Sequence, residues 1–399
     1  MSEPSFSWRQ IAIPAFGPSL LFGIANGAIL PVIALSAIAL GASHAMSGVT
    51  AALIGFGSLL CNIPAALITA RFGERRSLIG ASVVSVFALV ICIMASHPAL
   101  LALGVLLMGM ATSVFYLARQ SFLMEAAPVH MRARAFSTLG GTQRIGMFIG
   151  PFGAAGLMHF IGLEGAYVVA IVALVAAGLL SFALPELQPR AEGSGNDAPR
   201  PRMAAIAVTQ KRVLMTLGLG CLLIGAMRAS RQVAIPLWAD AIGLSPTATA
   251  LIFGCVSAID MLVFYPAGKI MDHYGRLWVA LPCSLMLAVS LLALPMTTAL
   301  VPFVAVCLLM GLGNGIGSGI VMTLGADAAP ANARTEFLGI WRLIADIGTS
   351  AGPFVLAGLT ALVSLAAGIA ATGAFGLLSA YIFWRALPHA SGSRHTRKP

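Results

Sequence analysis

The stretch RIGMFIGPFGAAG (144–156) returns 202 residues later as DIGTSAGPFVLAG (346–358), with its glycine-proline pattern kept and its leading arginine replaced by aspartate. The same offset aligns LLMG at 106–109 with LLMG at 308–311, and AAP at 126–128 with AAP at 328–330. One constant offset across several anchors predicts a duplicated fold with two related halves. Between the copies lies ELQPRAEGSGNDAPRPR (186–202), whose proline, glycine and charged residues predict a linker.

Composition places both halves in a membrane. The chain has 399 residues, of which 59% are hydrophobic and 9% charged, too few polar side chains for a water-soluble globule. Because about 20 helical residues cross ~30 Å of hydrocarbon, we predict an all-α integral membrane protein with twelve transmembrane helices. These predicted spans are 11–41, 46–70, 77–96, 98–127, 135–160, 164–185, 213–242, 246–271, 277–297, 299–329, 336–361 and 363–386.

The spans divide into two pseudo-symmetric six-helix bundles. The predicted domains are an N-terminal bundle (1–185), a cytoplasmic linker (186–212), a C-terminal bundle (213–386) and a cytoplasmic tail (387–399). An even number of spans in each half predicts a parallel repeat, related by an axis along the membrane normal. We expect such halves to rock about a site at their junction.

The net charge of +10 is distributed as expected for a membrane protein rather than for a nucleic-acid binder. Lys and Arg concentrate at the N-terminus, the even-to-odd span connections, the central linker and the tail, which predicts that both termini are cytoplasmic. With no cleavable signal peptide recognised, the first span is expected to target the chain to the membrane. The Ala, Gly and Arg bias favours a bacterial inner membrane.

The six cysteines all lie within predicted spans and lack CxxC spacing. This pattern favours cysteines that act as small apolar packing residues over a disulfide framework or a metal site. Soft-metal transport through Cys and Met remains an alternative. We expect no cofactor, no metal and no nucleic-acid partner, and we expect a monomer in the bilayer.

The loop after the eighth predicted span carries GKIMDHYGR (268–276), and the first half carries AALITARFGERR (65–76) at the equivalent place. The chain resembles the major facilitator superfamily of secondary transporters over its full length, since that family has Gly-x-x-x-Asp-Arg/Lys-x-Gly-x-Arg/Lys in these loops. The resemblance implies a cytoplasmic gating latch, or in the simpler alternative a tight basic turn. Its residues are Arg71, Gly73, Arg75, Gly268, Asp272, Gly275 and Arg276; the first-half copy departs from the pattern at Ala66 and Ala70.

The opening stretch is the second point of resemblance, because GMFIGPFGA (146–154) is similar to the fifth-helix pattern of the export-type antiporters in this superfamily. Glycines four residues apart let helices approach closely, and proline bends a helix. The motif predicts a close seam between the halves that prevents leak, with ordinary helix packing as the alternative. It comprises Gly146, Gly150 and Pro151, with Gly348, Gly352 and Pro353 as the second copy.

Seven charged residues lie well inside predicted spans: Arg119, Arg144, Arg228, Arg231, Arg342, Asp260 and Asp346. Each would cost about 3 kcal/mol if it faced lipid at mid-depth, so we expect them to face a hydrated cavity or one another. Arg342 and Asp346 are four residues apart on one helical face, which also suits a purely structural pair.

Arginine's planar guanidinium binds carboxylate or phosphate at two points. We therefore predict substrate contacts from Arg228 and Arg231, with Arg119, Arg144 and Asn26 as further binding candidates. A proton carrier needs a buried acid, and the candidates are Asp260 and Asp346, with Arg342 as a partner. The five arginines and two aspartates leave an excess of positive charge, which favours an anionic or amphipathic substrate over a lipophilic cation.

The predicted function is secondary active transport, namely proton-coupled efflux of a small organic solute or drug by alternating access. A proton-coupled or facilitative importer of a small metabolite is the alternative. A membrane-embedded transferase would need clustered acids or histidines, and the seven histidines are scattered over loops, tails and helix ends. A receptor would ordinarily carry a soluble signalling domain, for which no stretch is long enough. We therefore expect a transporter and not an enzyme.

Overall fold

The computed structural model describes residues 8–127, 131–184, 203–330 and 333–391, and every regular element in these ranges is helical. Twelve helical stretches within them are long and apolar enough to cross a membrane. Helices are the natural outcome, because hydrocarbon offers no water to bond the backbone. The predicted fold class is confirmed: the chain is a multi-pass, all-α membrane protein.

Six helices form the first set of spans. They are α1 (Trp8–Ala39), α2 (His44–Phe72), α3 (Glu74–Ile93), α4 (Pro98–Ala126), α5 (Arg132–Ile161) and α6 (Glu164–Ser181). Helix α1 packs along α5 and α6, and α3 packs along α4 and α6. Large side chains such as Phe22, Phe115 and Leu101 are fully buried between these helices.

The second set of spans contains more interruptions. After a short helix α7 (Met203–Thr209), the seventh span consists of α8 (Lys211–Val213), a π-helical turn (Leu214–Gly218) and α9 (Leu219–Ala241). It is followed by α10 (Pro246–Tyr274), α11 (Leu277–Ala293), a 3₁₀ turn (Leu294–Met296), α12 (Leu300–Ile316), α13 (Ile320–Ala328), α14 (Arg334–Leu362) and α15 (Leu365–Ser391). Helix α9 packs along α14 and α15, and α11 packs along α15 and α12.

The helices group into two compact units. Unit 1 comprises residues 1–42, 50–191 and 245–254, and unit 2 comprises residues 43–49, 192–244 and 255–399. The first turns of α2 and α10 are thus assigned to a different unit from the rest of those helices. The predicted linker core (186–202) and the last residues of the predicted tail (392–399) lie outside the described residues, and residues 203–209 at the end of the predicted linker are helical.

Glycine contacts repeat at the offset found in the sequence. In unit 1, a side chain on Gly146 would overlap the carbonyl oxygen of Leu20, and in unit 2 a side chain on Gly348 would overlap that of Leu222. These positions differ by 202 in both members of the pair, as do Gly109 against Ile54 and Gly311 against Val256. Equivalent glycines thus make equivalent close helix contacts in the two units. The duplication found in the sequence is therefore also present in the helix packing.

The helix-ending turns repeat in the same way. Gly73 after α2 has φ 78° and Gly275 after α10 has φ 95°, a backbone region that side chains with a Cβ rarely adopt. Gly41 and Gly243 form a second matched pair, with φ 86° and 77°. Glycine at these places is required by the turn itself.

Gly150→Ala is expected to lower the free energy of unfolding by roughly 1–3 kcal/mol, because the new methyl group would press on the backbone of α1. Gly150 faces the carbonyl oxygen of Ile24 and the amide of Ala28 at overlapping distance. Gly156→Ala on the same helix is the matched control, since nothing lies within 4 Å of its added methyl. Thermal unfolding in detergent measures both; equal melting temperatures for the two variants would contradict the prediction.

Candidate functional site

A break in the tenth span creates a polar arrangement in unit 2. The segment GLGNGIGSG (311–319) places glycine at every second position, and glycine disfavours a continuous helix. Helix α12 accordingly ends at Ile316, a turn occupies 317–319, and α13 begins at Ile320. Discontinuous helices at mid-span expose backbone carbonyls that can bind a ligand or a cationic side chain.

Asn314 links the break to two of the predicted site residues. Its side-chain Nδ2 donates a hydrogen bond to Asp260 Oδ2 on α10 at 2.6 Å, and its backbone oxygen accepts one from Arg228 Nη2 on α9 at 3.3 Å. The hydroxyl of Ser318 donates to the Asn314 carbonyl at 3.2 Å. The structure therefore brings Arg228 and Asp260 together through a buried asparagine that is 8% exposed.

Two glycines let the three helices meet closely enough for these contacts. A Cβ on Gly315 would lie 2.8 Å from the carbonyl oxygen of Asp260, and one on Gly317 would lie 2.7 Å from Arg228 Nη2. Arg231, one turn further along α9 than Arg228, is buried with 6% exposure. The substrate-binding role of Arg231 stays a prediction. Arg228, Asp260 and Asn314 are hereafter the Asn314 cluster.

Unit 1 holds a second buried arginine, Arg119 on α4, which is 7% exposed. Its Nη1 and Nη2 both donate to Gln143 Oε1 on α5 at 3.1 Å, and Gln143 Nε2 donates to the hydroxyl of Tyr116 at 2.6 Å. The guanidinium carbon lies 4.8 Å from the centre of the Tyr116 ring, a cation–π arrangement. The network fixes the guanidinium plane, which is a precondition for two-point recognition of an anion.

Asn26 and Arg144, also predicted to bind substrate, lie on α1 and α5. Asn26 is buried, and its Nδ2 donates to the carbonyl of Phe22 in its own helix at 3.1 Å. Arg144 is half-buried and follows Gln143 directly on α5. Their substrate-binding roles stay predictions.

Arg342 and Asp346 lie on α14 and form an ion pair at 3.8 Å, with side chains 48% and 36% exposed. This is the i,i+4 pair that their spacing predicts. A partly exposed pair of this kind contributes little to stability, and a proton-coupling role for either residue stays a prediction.

A model of the Major Facilitator Superfamily matches residues 17–353 and 217–399. The chain belongs to this superfamily. The family consists of membrane transporters, so the chain is a secondary transporter of small molecules and not an enzyme.

Relatives within the Major Facilitator Superfamily differ in what their names say they carry. The multidrug resistance protein MdtH of Klebsiella pneumoniae (strain 342) is 23% identical over 292 residues, which cover 71% of this chain and 70% of that protein. The arabinose-proton symporter of Bacillus subtilis (strain 168) is 27% identical over 138 residues, covering 35% of this chain and 30% of that protein.

Solved structures of the superfamily match the whole fold at low sequence identity. A bacterial homolog of the human lysosomal transporter Spinster gives a TM-score of 0.80 at 14% identity and covers 100% of both chains. The D-xylose-proton symporter gives 0.74 at 17% identity, over 96% of this chain and 99% of that one. These likenesses establish the fold alone.

In the superfamily loop motif of the second half, Arg276 forms an ion pair with an acid that was not among the predicted motif residues. Arg276 Nε donates to Asp327 Oδ2 on α13 at 2.8 Å, and Arg276 Nη1 donates to the Met271 carbonyl at 3.1 Å. Asp272, the acid of the motif, is exposed, and Gly268 has open space around it. The arginine therefore ties the end of α10 to α13.

The first-half loop has a different arrangement. Arg71 lies over the ring of Phe72 at 5.7 Å, and Arg75 is half-buried in the first turn of α3 after Gly73. The gating role of these loop residues stays a prediction.

The helix-five motif was predicted to form a seam between the halves, and its glycines have contacts within a unit. Gly146 and Gly150 of α5 press against α1, and Gly348 and Gly352 of α14 press against α9. Pro151 and Pro353 lie inside α5 and α14 without ending them. Close packing of α1 on α5, and of α9 on α14, explains the glycines.

Sequence reasoning missed Asn314, which contacts the half-buried Arg228, and it missed Gln143 and Tyr116, which contact the buried Arg119. A signal for Asn314 exists in the sequence, because an amide among alternating glycines in mid-span marks a helix break with a polar group beside it. Gln143 directly precedes Arg144 and could be found by the same search for polar residues inside spans. Among the described residues, no group of three or more His, Cys, Asp or Glu side chains could hold a metal ion.

Proposed function

We propose that this chain is a proton-coupled exporter of small organic anions or amphipathic solutes, located in a bacterial inner membrane with both termini in the cytoplasm. The observation that carries the proposal is the Asn314 cluster, in which a carboxylate and a guanidinium share one buried asparagine at a helix break. Buried ionisable groups in transporters mark substrate and proton pathways.

The division of roles follows from the chemistry of the two side chains. Asp260 is the one acid of the Asn314 cluster, and a carboxylate is the group that can take up and release a proton in this setting. Arg228 stays charged throughout and offers donors to an anionic substrate group. The substrate would compete with the Asn314 carbonyl for Arg228, while protonation would weaken the hydrogen bond from Asn314 to Asp260.

Efflux is favoured over uptake by the helix-five motif and by the similarity to MdtH, whose name denotes multidrug resistance. A proton-coupled importer of a small metabolite is the second candidate. The sequence similarity to the arabinose-proton symporter of Bacillus subtilis favours it.

Transport assays in proteoliposomes with an imposed pH gradient test the proposal. The panel contains anionic, zwitterionic, neutral and cationic solutes, each loaded inside or outside the vesicle. We expect gradient-driven exchange of anionic or amphipathic solutes against protons. Accumulation of solute together with protons would favour the importer, and movement of cations alone would contradict the assignment of Arg228.

A further inference from the structure

A groove of about 700 Å³ lies in unit 2 between the beginning of the seventh span and the end of α15. Its walls come from residues 212–219 and 381–386, none of which belongs to the Asn314 cluster. The spans concerned run from Lys211 to Ala241 and from Leu365 to Leu387. The groove therefore lies at span ends, the level at which lipid headgroups meet the protein.

The rim of the groove is basic and aromatic. Arg212 and Arg385 both line it, and none of its lining residues is acidic. The guanidinium of Arg385 lies 5.9 Å from the centre of the Tyr381 ring, which forms a tilted pair with Trp384 at 6.3 Å. Tyr381 and Trp384 are 52% and 56% exposed, as expected of aromatic side chains at a membrane surface.

The floor of the groove is apolar and includes a widened turn of helix. The π-helical turn Leu214–Gly218 forms this part of the wall, and such turns often occur at functional sites. The hydroxyl of Thr216 donates to the Arg212 carbonyl at 2.7 Å. Met215 and Leu219, which also line the groove, are 63% and 36% exposed. A polar rim thus continues into an apolar wall that faces the hydrocarbon level.

We propose that this groove is a binding site for an anionic phospholipid. Arg212 and Arg385 would hold the phosphate, Thr216 and Tyr381 would face the glycerol region, and an acyl chain would lie along Met215 and Leu219. Basic pockets between membrane helices suit such headgroups, and arginine favours phosphate through paired hydrogen bonds. A soluble phosphate would leave the apolar wall unused, which is why we assign the groove to a lipid.

Native mass spectrometry of the delipidated full chain, titrated with phosphatidylglycerol or phosphatidylcholine, tests the proposal. We expect tighter binding of phosphatidylglycerol. Removing one charge by Arg212→Gln or Arg385→Gln should weaken it about fivefold, and the double variant should weaken it roughly thirtyfold. Phosphatidylcholine binding should not change. A double variant that binds phosphatidylglycerol as tightly as the parent would overturn the proposal.

Two further variants separate a lipid site from general effects of charge or folding. Lys269→Gln removes a cation that also lies over a tyrosine ring, Tyr265, at 4.9 Å, but that does not line the groove; its phosphatidylglycerol binding should match the parent. Thr216→Phe puts a bulky ring inside the groove while keeping both arginines, and it should weaken binding. Unfolding temperatures measured without lipid identify any variant that fails to fold. The double variant Arg212→Lys with Arg385→Lys keeps both positive charges and should retain most of the phosphatidylglycerol binding.

A soluble competitor distinguishes the two sources of phosphate. Glycerol 3-phosphate should displace phosphatidylglycerol only at far higher concentration, because it lacks acyl chains. Displacement at equal concentration would assign the groove to a soluble anion and overturn the lipid site. None of these outcomes depends on transport, so the lipid site and the proposed function can fail independently.

Discussion

Asp260→Asn is expected to remove essentially all of the transport driven by a pH gradient while leaving the fold intact. The asparagine side chain has nearly the same shape, and its amide oxygen can still accept the hydrogen bond that Asn314 Nδ2 gives to Asp260 Oδ2 at 2.6 Å. It cannot carry a proton. The variant should therefore bind substrate and exchange it without responding to the gradient.

The measurement is substrate flux in proteoliposomes, with and without an imposed pH gradient. Glu164→Gln is the matched control, because it replaces an exposed acid in the first turn of α6 with the corresponding amide. Its flux should follow the gradient as the parent does. A gradient response in Asp260→Asn equal to that of the parent would exclude Asp260 as the carrier, and Asp346→Asn would then be the decisive variant.

The spans and the duplication could be predicted because they depend on quantities that the sequence carries directly. Span length follows from the run of apolar residues needed to cross hydrocarbon. The duplication follows from a constant offset, and the matching contacts of Gly146 on Leu20 and Gly348 on Leu222 carry the same offset. The depth of a residue in the membrane likewise follows from its position within a predicted span. For this reason the arginines inside spans could be chosen as candidates.

The partners of those arginines could not be predicted, because a hydrogen bond depends on helix rotation as well as on depth. Arg119 and Gln143 are 24 residues apart, and Arg228 and Asn314 are 86 apart. The break between α12 and α13 decides which carbonyl meets Arg228. The position of that break depends on the backbone flexibility of the glycines and on packing between helices, and a hydropathy pattern records neither. For a related reason the sequence left two readings of the helix-five glycines open, a seam between the halves or ordinary helix packing. A row of glycines shows that another helix approaches closely, but not which one; the contacts of Gly146 and Gly348 are with α1 and α9.

Arg228→Gln is expected to raise the half-saturating concentration of an anionic substrate about 10- to 100-fold, the range that corresponds to losing a hydrogen bond to a charged group. The variant should fold, because glutamine can still donate to the Asn314 carbonyl that Arg228 Nη2 contacts at 3.3 Å. It also removes a half-buried charge, which relieves a desolvation cost. Arg228→Lys keeps the charge but loses the planar pair of donors, so its effect should be intermediate.

Flux of an anionic and a neutral solute, measured over a range of concentrations, distinguishes a substrate contact from a structural role. Arg334→Gln, which removes an exposed arginine at the first residue of α14, is the matched control and should leave both fluxes unchanged. A substrate contact predicts that Arg228→Gln weakens the anion selectively, since only the anion uses the guanidinium. Equal weakening of both solutes would show that Arg228 supports the break between α12 and α13, with the anion bound elsewhere.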